Sequence, residues 1–186
     1  FDRFSTDFSI RVHDDRTQTL ANFRSTIDSQ PGSDEAQRVG NSKWRTLWNA
    51  PQGWRISSTS GDLTTGSIDD VDSYRPLVRV DDGLLTPTGA AEVRKSPQYH
   101  LKFNADGGHP GIGHGSRSNH IDRYAISAFT VERSGRYYLT DAFVEAAANS
   151  RDGVEVRVYV NGTSNEYFRK IATAGERLTF ELDFER

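Results

Sequence analysis

Val154, Val156, Val158 and Val160 alternate with Glu155, Arg157 and Tyr159, and this stretch restricts the fold more than any other. Side chains on a strand project to opposite faces in turn, so a period of two makes one dry face and one wet face. Asp152-Gly153 precedes the run and Asn161-Gly162 follows it. Both dipeptides accept positive φ and predict turns. A ribbon with one apolar face is not stable alone in water, so the rest of the chain has to cover it. Ile126 to Val131 and Arg136 to Thr140 read as two more strands, joined as a hairpin through Glu132-Arg133-Ser134-Gly135. Tyr167 to Ile171 fits a strand. Leu178, Phe180, Leu182 and Phe184, spaced by Thr179, Glu181 and Asp183, give a second clean alternation.

The rest is less regular. Phe4, Phe8 and Ile10 fit a strand, while Leu20, Phe23 and Ile27 fit either a short helix or a loop with apolar anchors. Residues 30–42 are polar, are broken by Pro31-Gly32 and read as a loop. Trp44, Thr46 and Trp48 share one side of a strand whose other side carries Arg45 and Leu47. The chain then turns at Asn49-Ala50-Pro51-Gln52-Gly53. Residues 57–73 form an acidic Ser/Thr/Gly-rich loop, with short strands expected at Leu77 to Val80 and His100 to Phe103. Asn104 to Asn119 is so rich in glycine that no regular element is expected there. Strands recur with turn signals between them and no strong long helix. The expected fold is therefore all-β, a jelly-roll-like antiparallel β-sandwich forming a single domain over residues 1–186. Within it, residues 1–40 are poorly patterned and 41–186 carry the core of the module.

Composition narrows the function classes. Hydrophobic residues are 34% and charged residues 26%, which suits a thin strand-built core with polar loops. The net charge is −3 and no Lys/Arg run stands out, so nucleic acid is not an expected partner. No apolar run is long enough to insert in a bilayer. Cys is absent, which excludes a disulfide, a thiolate zinc site and a thiol nucleophile. Met is absent even at position 1, as expected of a mature or excised segment.

Four stretches together resemble a known kind of module. They are Gly107-Gly108-His109-Pro110-Gly111, Asp122-Arg123-Tyr124-Ala125-Ile126, Val131 to Tyr138, and the run from Asp152 to Gly162. The combination resembles the carbohydrate-binding-module-like jelly rolls of secreted multidomain bacterial proteins, and Trp44 to Trp54 resembles their N-terminal half. The resemblance covers roughly residues 40–184 and implies a secreted or cell-surface setting with neighbouring domains in the parent chain. It also implies a further strand after the run ending at Phe184. Because the sequence stops at Arg186, that strand is expected to be missing or supplied from elsewhere.

The candidate binding residues are Trp44, Trp48, Trp54 and Tyr74, with Arg75 and His109. A sugar's apolar C–H face packs on an aromatic plane while its hydroxyls seek forked polar groups, and Arg45, Arg55, Asp62 and Asp72 lie close by in sequence. The competing reading places the tryptophans in the core. Asp106, His109, His114, His120 and Asp122 offer imidazole and carboxylate ligands, but at spacings that match no helix-borne metal motif; a sugar contact or a turn explains them as well. Asp69, Asp70 and Asp72, like Asp81-Asp82, could hold calcium through hard oxygen ligands or simply cap turns. No Gly-x-Ser-x-Gly, His-Glu-x-x-His or phosphate loop occurs. Glu145 with Glu155, or Tyr138 with a loop His, are the pairs that could serve a polysaccharide hydrolase or lyase. Asn161-Gly162-Thr163 fits a glycosylation sequon, yet the turn already explains Asn-Gly there. The expected function is non-catalytic binding of a polysaccharide or surface glycan. The alternatives are a structural spacer or adhesion domain and, less favoured, a polysaccharide-active enzyme.

Overall fold

A computed structural model describes residues 4–12, 18–24, 44–49, 54–55, 62–63, 67, 69–79, 85–86, 101–110, 124–150 and 153–185. In chain order its strands are β1 (Phe4–Val12), β2 (Thr19–Asn22), β3 (Trp44–Asn49), β4 (Trp54–Arg55), β5 (Asp62–Leu63), β6 (Arg75–Pro76), β7 (Val78–Arg79), β8 (Leu85–Thr86), β9 (Lys102–Asn104) and β10 (Gly107–His109). They continue with β11 (Tyr124–Phe129), β12 (Arg136–Ala146), β13 (Val154–Tyr159), β14 (Glu166–Ala172) and β15 (Arg177–Glu185). The fold is all-β, and every ladder between described strands is antiparallel. The chain divides into two compact units. One comprises Phe1–Ser29, Asn104–Gly108 and Thr130–Arg186; the other comprises Gln30–Phe103 and His109–Phe129.

In the first unit β12 is central, flanked by β15 on one edge and β1 on the other. The far edge of β1 is shared: Gly107 and Gly108 pair with Ser5 and Phe4, and β2 pairs with Ser9 to Arg11. The valine ladder forms β13 and pairs with β14 as a two-stranded ribbon. That ribbon packs its dry face on the β12 sheet. Val154 and Ala172 join Val144 and Ala146 in one buried cluster, with Phe4, Val156, Leu178 and Phe180 against it. Phe168 of β14 stacks on Phe180 of β15 at 4.3 Å. Two antiparallel layers closing on one core make this unit sandwich-like, as the alternation requires, and its topology is compatible with a jelly roll.

Three departures from the sequence-based expectation have local causes. β11 and β12 are not a hairpin: β11 pairs with β3, whereas β12 pairs with β1 and β15. The turn between them is anchored by Tyr137, which is buried and donates its hydroxyl to the Arg133 carbonyl at 2.6 Å. The glycine-rich stretch contains a strand after all, because Gly107, at φ 143°, lets the backbone approach β1 within a distance no side chain would permit. Thr19 to Asn22 is a strand, not a helix; Leu20 is the extra residue of a bulge against Ile10 and Arg11, which blurs the period.

In the second unit β3 is the middle strand, between β11 and β6. Thr46, Leu47, Trp48 and Asn49 are all buried, so this strand is covered on both faces. The Leu77 amide donates to the Thr46 carbonyl at 3.0 Å. Elsewhere in the unit β4 pairs with β5, and β8 pairs with β7 and β9. Among the described residues no helix is long and apolar enough to cross a membrane.

Candidate functional site

The residues picked out by the sequence do not converge. Trp48 exposes 1% of its surface and presents no ring face to solvent; it is a core residue of β3. Trp44 pairs through its backbone with Phe129, and Trp54 with Leu63, but both indoles lie outside the described residues. Arg75 is exposed and sits opposite Trp48 in register, and Tyr74 is half-buried. His109 exposes 1% and is closed to a ligand from solvent. His114, His120, Asp122, Asp81 and Asp82 lie outside the described residues, as do the side chains of Arg55 and Asp62. Asp69, Asp70 and Asp72 are exposed. Asp70 caps a single helical turn at Val71–Ser73 by accepting from the Asp72 amide at 3.2 Å, and its carbonyl accepts from the Ser73 hydroxyl at 2.6 Å. This is the turn-capping role. Among the described residues no three His or carboxylate groups stand close enough together to hold a metal ion.

The wet face of the β13–β14 ribbon is polar but already satisfied. Glu155 accepts from Arg157 Nε at 2.9 Å and from Arg169 Nε on the neighbouring strand. Tyr159 in turn donates to Glu166 at 3.3 Å. Burial alone would raise the Glu155 pKa, but the hydrogen bonds from Arg157 and Arg169 outweigh it and hold the carboxyl below its usual 4.5. A depressed carboxylate pKa contributes stability above its unfolded value, and that contribution is lost as pH falls through the folded one. Glu155→Gln should therefore lower stability at pH 7, by no more than about 1 kcal/mol for pairs this accessible. The gap should close in denaturation curves measured well below pH 4.5. A gap unchanged at acid pH would show that the two arginines are not what the carboxylate stabilises.

A different place gathers charged groups beside an aromatic ring, most of them paired with one another. Over the β12–β15 ladder lies an open groove of about 630 Å³, lined by Asp141, Ala142, Phe143, Arg177, Thr179, Phe180 and Glu181. Its origin is a bulge. Ser9 pairs with Thr140 but Asp7 with Phe143, and on the other edge Leu182 pairs with Leu139 but Phe180 with Ala142. Both neighbours advance two residues where β12 advances three, so the extra residue belongs to β12. Asp141 absorbs it at φ 56°, a left-handed conformation uncommon outside glycine. The dry positions of β12 consequently switch from Tyr137 and Leu139 to Ala142, Val144 and Ala146. Asp141 is left exposed, held by Arg11 at 3.0 Å and by the Thr140 hydroxyl at 3.0 Å. Arg177 lies with its guanidinium carbon 3.7 Å from the centre of the Phe143 ring and donates to Glu145 at 3.3 Å. The ring's negative face and the Glu145 carboxylate orient this cation jointly.

The groove thus offers an oriented donor fork, carboxylate and hydroxyl acceptors, and an aromatic edge. The sequence pattern does not disclose it, because the alternation places the end of β12 at Thr140. The available signal is the phase slip itself: the apolar alternation resumes after Asp141, one residue out of step. Comparison with protein-family models, with curated proteins and with solved structures finds no match for the chain.

Proposed function

We propose that this chain is a non-catalytic binding module that takes a polysaccharide or surface glycan in the β12–β15 groove, as one part of a larger secreted or surface protein. The observation that carries the reading is the bulge-made groove, in which Arg177 lies over the Phe143 ring and Asp141, Thr179 and Glu181 line the same opening. Its volume lies within the range of ~300–1,000 Å³ usual for small-ligand sites. Sugar hydroxyls donate to carboxylates and accept from a guanidinium, and the sugar's C–H face tolerates an aromatic neighbour. Groups held in place by Glu145 and Arg11 lose little freedom on binding. Trp48 and His109 take no part in this reading because they are buried. A single open groove binds weakly, and repeated copies in a parent chain would raise the apparent affinity by avidity.

The test is titration calorimetry against a panel of soluble polysaccharides, with products analysed in parallel. Wild type should bind at least one polymer without cleaving it. Arg177→Ala and Phe143→Ala should each weaken that binding about tenfold, as loss of an oriented charged hydrogen bond implies. Binding undiminished in both variants would overturn the site. No binding to any saccharide would favour a spacer or adhesion role, and released oligosaccharides would place the chain among enzymes.

A further inference from the structure

Resting on that reading, we infer that the groove selects against anionic saccharides and that Glu181 sets the selection. Arg177, which lines the groove, and Arg11, which holds Asp141 there, already face carboxylates: Arg11 meets Asp141 at 3.0 Å, and Arg177 meets Glu145 at 3.3 Å. Asp183, further along the wet side of β15, is paired with Arg136 at 2.6 Å. Glu181 lines the groove, is exposed, and has no cationic partner among the described residues. Among the described residues, Asp141, Glu145 and Glu181 therefore stand against Arg11 and Arg177, leaving one negative charge in surplus. A uronate carboxylate entering here meets that surplus and, among the described residues of the groove, finds no guanidinium without a carboxylate partner. A neutral hexose donates a hydroxyl to Glu181, and the ammonium of a deacetylated amino sugar makes a stronger, charge-assisted bond. The ligand class is a neutral or amino-bearing polysaccharide, not a polyuronate.

The effect at an exposed position is modest and screened by salt. At low ionic strength wild type should bind a neutral or amino-sugar oligosaccharide about threefold or more tightly than a uronate oligosaccharide of equal length. Glu181→Gln should narrow that preference, Glu181→Lys should reverse it, and raising the salt should shrink all three differences. Thermal melts of each variant separate folding from binding. Uronate bound as tightly as neutral sugar by wild type, or a preference unmoved in Glu181→Lys, overturns the role of Glu181 while glycan binding stands. Failure of every oligosaccharide to bind wild type overturns the glycan reading itself, and this selection with it.

Discussion

Replacing Gly107 by alanine is expected to destabilise the first unit by roughly 3 kcal/mol. Gly107 has φ 143°, and a Cβ placed there would fall 2.0 Å from the Phe4 carbonyl oxygen and 2.6 Å from the Ser5 Cα. Both obstacles are backbone, so no side-chain rotation relieves them. Either β10 leaves β1, losing the pairs Phe4 with Gly108 and Ser5 with Gly107, or β1 shifts against β12. Gly175→Ala is the informative comparison. Gly175 also has positive φ, 74°, but the nearest atoms to a methyl added there would be at 3.9 Å. It should cost only about 1 kcal/mol, the backbone share alone. Urea denaturation should show the larger fall in midpoint for Gly107→Ala with the slope preserved. Equal midpoints for the two variants would refute the close approach of β10 to β1.

Leu139→Ala is expected to cost about 2–4 kcal/mol. Leu139 is 7% exposed and lies in register between Ile10 on β1 and Leu182 on β15, all on the dry side of the sheet. Removing its branched end leaves a space that the strands cannot close without breaking their pairing, so lost burial and a cavity add together. Thr179→Ala, on the exposed side of β15, should stay within about 0.5 kcal/mol. Similar losses in the two variants would mean that the first half of β12 faces the other way.

Legibility followed burial pattern. The alternation at Val154 to Val160 and at Leu178 to Phe184 needed no tertiary knowledge, since the apolar residues of each strand share one face that is at least half-buried along its length. β1 was harder because its dry side mixes Thr6 with Phe4 and Ile10. Thr6 is tolerated there only because its hydroxyl donates to the Phe143 carbonyl at 2.7 Å, a partner remote in sequence. The β3 tryptophan misled for a related reason: β3 is covered on both faces, so alternation carries no information about which ring meets solvent. The groove was hidden because a bulge is a property of two neighbouring strands, and one strand's pattern shows it only as a missed beat.

The hydroxyl contact between Thr6 and Phe143 joins residues 137 positions apart. During synthesis β1 can meet β2 early, but its other edge must wait for β12 before it is paired. Closing so long a stretch costs entropy before any contact repays it, which slows folding. Meanwhile the edge of β1 that awaits β12 stays available to wrong partners, so yield on expression should depend on chaperones and temperature more than final stability would suggest.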